Sequence, residues 1–124
     1  MEKQATKPEF FVWQVIWTAL TVVLIIFVAN LAIRQWQLKD PYLKNVLSLT
    51  GDSIRGAAIF QMNCSGCHGL QADGRVGPSL QGVSKRKSKI GLIHQVTSGD
   101  TPPMPQFKPS PQDMADLLSY LEKL

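Results

Sequence analysis

Apolar residues are arranged in two different ways along this chain, and the change falls near residue 34. From Phe10 to Ile33 there are 24 residues without a charge. As a helix rising about 1.5 Å per residue, such a run reaches about 36 Å, enough to cross a hydrocarbon layer of about 30 Å with some tilt. Trp13 and Trp17 lie near one end and Trp36 just beyond the other, as interfacial anchors do. Gln14 and Asn30 sit near the two ends, within reach of headgroups, and neither reads as a site inside the membrane. A cleaved secretory signal would carry a shorter apolar region, about 7–15 residues, followed by a small-x-small site. Here Phe27 stands two before Ala29 and Asn30 two before Ala32. The expectation is an uncleaved single transmembrane helix over 10–33, preceded by a tail over 1–9.

Beyond the span the apolar positions recur at helical spacing and in short pieces. Residues 34–51 read as a tether, because Asp40-Pro41 disfavours helix at the junction. Asp52 or Ser53 can cap a helix running to about Asn63, with Ile54, Ala57, Ala58 and Phe60 as its apolar face and Gly56 one turn before Phe60. Gly69 to Lys89 is rich in Gly, Ser and charge and reads as loop with at most a turn of helix. Ile90 to Val96 suits a short helix stopped by Gly99. Three prolines within 101–105 exclude regular helix or central strand. Ser110-Pro111-Gln112-Asp113 is a helix start, with Ser as N-cap, Pro at N1 and an acid at N3. Met114, Leu117, Leu118, Leu121 and Leu124 then recur at helical spacing. No strand pattern and no repeat is present. An all-α domain over 52–124 follows, small enough to need a staple.

Candidate chemistry concentrates in Cys64-Ser65-Gly66-Cys67-His68. C-x-x-C-H is the attachment signature of a c-type haem: two thiols form thioethers with the vinyl groups, and the adjacent imidazole becomes an iron ligand. Zinc would need more ligands, yet the chain has no further cysteine and only one other histidine, His94. A thioredoxin-like pair should follow a strand in a βαβ pattern, which is missing. A disulfide across so small a loop would stabilise little. One covalent haem c would also supply the missing centre of the core.

A second axial ligand must come from elsewhere. Of the four methionines, Met1 lies in the tail, Met62 is too close to Cys64 to reach the opposite haem face, and Met114 falls on the buried stripe of the last helix. Met104, in a proline-stiffened loop far from His68, is the candidate; a loop that is already rigid loses little entropy on holding a weak thioether ligand. His94 is the rival, and would give a lower potential, but its surroundings read as helix surface.

Charge adds one feature. From Phe10 on, 11 basic and 7 acidic residues leave a net +4, and Lys85, Arg86, Lys87 and Lys89 hold four of the positives within five residues. Such a run is most often a solvated loop; its functional reading is a docking patch for an acidic redox partner, where charge chiefly raises the on-rate.

The order helix, C-x-x-C-H, loop, short helix, methionine loop and last helix resembles a class I cytochrome c, over nearly all of the outer domain. The resemblance implies that Gly56 and Phe60 pack against Leu117 and Tyr120. It implies that the Pro78 carbonyl, in Gly77-Pro78-Ser79-Leu80, orients the ligand histidine, that Leu80 packs on the haem, and that Met104 is axial. The tryptophan that serves a propionate in some relatives has no counterpart, since all three lie in or beside the span; Arg75, Gln81 and Lys85 are candidates instead.

Finer stretches, Asp40-Pro41-Tyr42, Phe60-Gln61-Met62-Asn63, Thr101 to Pro105 and Met114 to Leu121, resemble the cyanobacterial cytochrome M family of small anchored c-type cytochromes. That implies an electron carrier, not an enzyme, in respiratory or photosynthetic membranes, with redox proteins as partners and cytochrome oxidase as a candidate acceptor. A regulatory or structural haem subunit is the alternative. The positive-inside count is nearly undecided, with Lys3 and Lys7 before the span and Arg34, Lys39 and Lys44 after it. Haem attachment outside the cytoplasmic membrane implies a lumenal or periplasmic haem domain on a thylakoid or cytoplasmic membrane, which argues against nucleic acid as a partner.

Overall fold

Residues 8–37 and 39–124 are described in a computed structural model. The expected tail over 1–9 falls mostly outside them. The chain divides into two units, the second running from Asp40 to Leu124. The first is helix α1, Pro8–Gln37. Its stretch Glu9–Trp36 has a mean hydropathy of 2.5, and none of its most apolar window is buried by protein. Length and composition make it the one described helix able to cross a membrane.

The second unit is helical throughout, with no strand among the described residues. It begins with α2, Pro41–Ser48, where a tether was expected. Asp40 is its N-cap, accepting from the Tyr42 N–H at 2.9 Å, and Pro41 occupies N1. The dipeptide read as a break is therefore a helix start. So short a helix owes its order to packing: Leu43 and Val46 are buried against the last helix, and the Tyr42 hydroxyl donates to the Pro109 carbonyl at 3.1 Å.

Helix α3, Ser53–Asn63, is capped by Asp52, which accepts from the Ile54 N–H. Its expected apolar face is only partly right. Ile54 is 81% exposed and Ala58 is exposed, while Gly56 and Phe60 are buried. After α4, Ser65–His68, and α5, Val83–Arg86, come α6, Lys89–Ser98, and α7, Pro111–Leu121. Ser88 caps α6, Gly99 ends it at φ +73°, and Ser110 caps α7 by accepting from the Asp113 N–H.

The centre of the unit is the contact of α3 with α7. Met114 and Leu117 are fully buried, and the Phe60 and Tyr120 rings lie 5.3 Å apart at 46°. The Gly56 backbone lies directly against the Asp116 carbonyl.

A polar tie crosses the same contact. Asp116, 1% exposed, accepts from Arg55 Nε at 2.7 Å, Arg55 Nη2 at 3.2 Å, the Asp52 N–H at 2.7 Å and Gln112 Nε2 at 2.9 Å. The Arg55 hydrogen bond, helped by Asp52 and Gln112, outweighs burial and lowers the carboxyl from 3.8 to about 2. A pKa lowered by folding contributes stability that is present above the ordinary carboxylate range and is lost as pH falls through about 2. We expect Asp116→Ala to cost about 3 kcal/mol in urea titrations at neutral pH, because buried donors lose their acceptor. Asp116→Asn should flatten the acid limb between about pH 4 and 2, and an acid limb as steep as the parent's would refute this account.

Candidate metal centre

The C-x-x-C-H residues sit where two helices meet. Cys64 ends α3 and precedes α4, donating its N–H to the Phe60 carbonyl at 2.8 Å, while the His68 N–H reaches the Cys64 carbonyl at 2.9 Å. Cys64 is half-buried, Cys67 exposed and His68 only 8% exposed, and no disulfide joins the two cysteines. Burial first, then the neighbouring Cys67, pushes the Cys64 thiol up to about 11. Redox C-x-x-C pairs depend on a lowered pKa.

Residues 69–77 loop back over this short helix. Gly74 N–H donates to the His68 carbonyl at 2.7 Å, Gly77 N–H to the Cys67 carbonyl at 2.7 Å, and Leu80 N–H to the Ala72 carbonyl at 2.8 Å. The loop thereby carries the Pro78 carbonyl to 2.8 Å from His68 Nδ1. A carbonyl only accepts, so Nδ1 carries the proton and Nε2 keeps the lone pair a metal requires. Gly77 makes the approach possible. A Cβ there would stand 2.8 Å from His68 Cε1 and 3.0 Å from Nδ1.

Leu80, Cys64 and Met104 all pack against one buried core that includes Phe60, Leu92, Ile93 and Val96. The Met104 loop is laid along the end of α6: Phe107 N–H donates to the Val96 carbonyl at 2.9 Å and Gln106 Nε2 to the Thr97 carbonyl at 2.9 Å. His94 lies on the exposed side of α6, 3.8 Å from Asp100. Met62 is 76% exposed and Met114 fully buried in the core. The donor set available is two thiols, one imidazole with a fixed tautomer and one half-buried thioether. It fits a covalent haem, which Cys64, Cys67, His68 and Met104 could hold.

The basic stretch is exposed but engaged. Arg86 donates to the Gln81 carbonyl at 2.7 Å and the Ser79 carbonyl at 3.2 Å, Lys87 to Gln95 Oε1 at 3.3 Å, and Lys89 pairs with Glu122 at 2.9 Å. Of the propionate candidates, Gln81 donates to the Gln71 carbonyl at 2.6 Å, and Arg75 and Lys85 are exposed. Sequence reasoning missed Gln95, whose Nε2 lies 3.9 Å from Met104 Sδ. Nothing local marks it; its only sequence sign is a position on α6 just before the methionine loop.

Residues 52–121 match the family described as cytochrome c oxidase, cbb3-type, subunit III. A cytochrome c-553-like protein of Synechocystis sp. is 66% identical over 85 residues, covering 68% of this chain and 81% of that protein. Cytochrome c-554(547) of Halothiobacillus neapolitanus is 36% identical over 52 residues, 41% of this chain and 56% of the relative. Cytochrome c of Arabidopsis thaliana is 41% identical over 44 residues, 34% and 39% of the two chains. The cofactor is a covalently bound haem c with iron. Through its C-x-x-C-H site and the match over 52–121, the chain belongs to the cytochrome c family.

Proposed function

We propose that this protein is a membrane-anchored mono-haem carrier of single electrons, of the cytochrome M kind, in respiratory or photosynthetic electron transfer, with cytochrome oxidase as a candidate acceptor. The observation that carries the reading is the 2.8 Å bond from His68 Nδ1–H to the Pro78 carbonyl, beside Cys64 and Cys67. It leaves Nε2 with the lone pair that would bind the iron. Haem c supplies the reversible one-electron iron couple when bound. Cys64 and Cys67 would hold it by thioethers, with Leu80 among the apolar residues around it, and His68 and Met104 would serve as iron ligands, which would leave no position for a substrate. Residues already packed into helices and a pinned loop need little rearrangement when the charge changes.

Helix α1 supports a single-pass anchor over 10–33; in this reading a tail precedes it, and the haem domain lies on the lumenal or periplasmic side of a thylakoid or cytoplasmic membrane because covalent haem is attached there. Partners are redox proteins of that membrane. Tethering raises their effective concentration, and the exposed Lys85, Arg86, Lys87 and Lys89 face is the candidate docking patch.

Optical redox titration tests the core of the reading. A one-electron wave, a low-spin spectrum and a methionine-to-iron charge-transfer band in the oxidised protein are expected. A high-spin form reacting rapidly with peroxide would instead indicate an enzyme. Cys67→Ala should leave one thioether; the restored vinyl extends the conjugation and moves the pyridine haemochrome band to the red. An unmoved band would remove Cys67 from the attachment. Alkaline washing should leave the protein in the membrane fraction, and release would point to a cleaved leader.

A further inference from the structure

Helix α2 shortens the chain that ties the outer unit to the span. As loose chain, residues 34–51 would reach about 60 Å. Instead α2 is packed into the outer unit. Leu43 and Val46 are buried against α7, the Tyr42 hydroxyl donates to the Pro109 carbonyl at 3.1 Å, and Lys108 Nζ stands 5.2 Å from the centre of the Tyr42 ring. The apolar stretch of α1 ends at Trp36, and α2 begins at Pro41. Five residue steps carry a fully extended chain no further than about 18 Å. A headgroup layer is itself about 5–7 Å deep. With α1 in a membrane, the start of α2 cannot leave the neighbourhood of the lipid surface.

The outward side of α2 suits that place. A helix facing only water turns polar residues outward. Here Leu47 is 40% exposed, and Leu49, just past the last turn, is 41% exposed. Both line one open hollow with Ala115 and Leu118 of α7, so they form a single patch. Lys44 lies one turn before Leu47 on the same face, and Lys39 is exposed just ahead of the helix. The acids near α2 are already engaged. Asp40 accepts from the Tyr42 N–H at 2.9 Å, and Asp113 from Ser110 Oγ at 2.7 Å. Lysine stems can lie over an apolar layer while their ammonium groups stay among phosphates.

We propose that Lys39, Lys44, Leu47 and Leu49 dock the outer unit on the lipid surface beside the span. This docking requires α1 to be the uncleaved anchor proposed above. Two leucines and two lysines would hold a free protein on lipid only weakly. The short covalent link makes docking intramolecular, so a weak patch suffices. Burying the exposed two-fifths of each leucine favours the docked state by about tenfold. The consequence is orientation. Helix α3 starts four residues after α2 and carries Cys64 about 18 Å along its axis from Asp52. The C-x-x-C-H stretch is therefore at the end of α3 remote from α2. Docked through α2, the unit keeps one orientation and leaves its haem end to redox partners in the same membrane.

The test uses the full-length, haem-loaded protein in nanodiscs of phosphatidylcholine and phosphatidylglycerol, with a lipid carrying a diazirine near its glycerol. Trypsin cuts after Lys44 and Arg55, isolating Asn45 to Arg55, and after Arg75 and Lys85, isolating Val76 to Lys85. Val76 is 76% exposed, so the second peptide is a fair reference. After illumination, lipid should be found on the first peptide at about three- to tenfold the yield of the second. Equal yields would overturn the docking. Leu47→Ser/Leu49→Ser should cut the yield on Asn45 to Arg55 by a similar factor and speed acylation of Lys44 by a soluble reagent. An undiminished yield in a variant with the parent's optical spectrum would overturn the patch; should the variant misfold, the comparison of the two parent peptides still decides. Cross-links from Asn45 to Arg55 to a protein in native membranes, with none to lipid in nanodiscs, would assign this face to a protein partner and overturn the lipid. Release of the parent by alkaline washing would refute the anchor itself, whereas a retained parent with equal yields refutes the docking alone.

Discussion

Met104→Ala should leave the haem attached while converting it to a high-spin form with a lower midpoint potential. Both thioethers and His68 stay in place, since Cys64, Cys67, His68 and the Pro78 carbonyl belong to one locally bonded stretch that the methionine loop does not build. What disappears is a soft sulfur donor that favours the reduced iron. Axial identity moves haem potentials over a range of about 0.8 V, so loss of one ligand is expected to lower this one by on the order of 0.1 V or more. Optical redox titration of the variant beside the parent reads both changes. An unaltered low-spin spectrum and potential would remove Met104 from the iron. His94→Ala is the companion variant, and should leave both unchanged, because His94 lies on the exposed side of α6 near Asp100.

Gly56→Ala is expected to destabilise the outer unit strongly. A Cβ built at Gly56 stands 2.6 Å from the Asp116 carbonyl carbon, closer still to its oxygen, and 2.9 Å from Tyr120 Cβ. The obstruction is backbone, so no side-chain rotation relieves it. The two helices must separate, which unpacks Phe60 from Tyr120 and stretches the Arg55 bonds to Asp116. Overpacking of this kind costs about 3 kcal/mol or more. Gly66→Ala is the matched control, because a Cβ there meets nothing within 4 Å. Urea midpoints of the haem-loaded proteins measure both, and equal midpoints for the two would refute the close-contact account of α3 and α7.

Much of the site could be read before any coordinates. C-x-x-C-H is a chemical requirement compressed into five adjacent residues, so it survives as a string. The cap and proline at Ser110-Pro111 likewise act on the next turn of chain, and α7 begins where they place it. Helix α2 escaped because its local signal is ambiguous: Asp40-Pro41 can interrupt a helix or open one. Packing of Leu43 and Val46 on α7 selected the second. The buried face of α3 was misread for a related reason. Ile54 is the more apolar residue, but the side of the helix facing α7 is set by where its backbone can come closest, and that is at Gly56.

By itself, then, the amino-acid order determined the covalent cofactor, the apolar span, the caps of α3 and α7 and the loop that offers Met104, because each depends on neighbours a few residues apart. Only the tertiary structure decided which His68 nitrogen keeps its lone pair, that Asp116 ties α3 to α7 through Arg55, and that Lys87 reaches Gln95 beside Met104. Those depend on distances between groups that the chain brings together from separate elements, and hydrogen bonds form or fail within a few tenths of an ångström. Helical periodicity specifies which residues share a face. It does not specify how closely two faces meet.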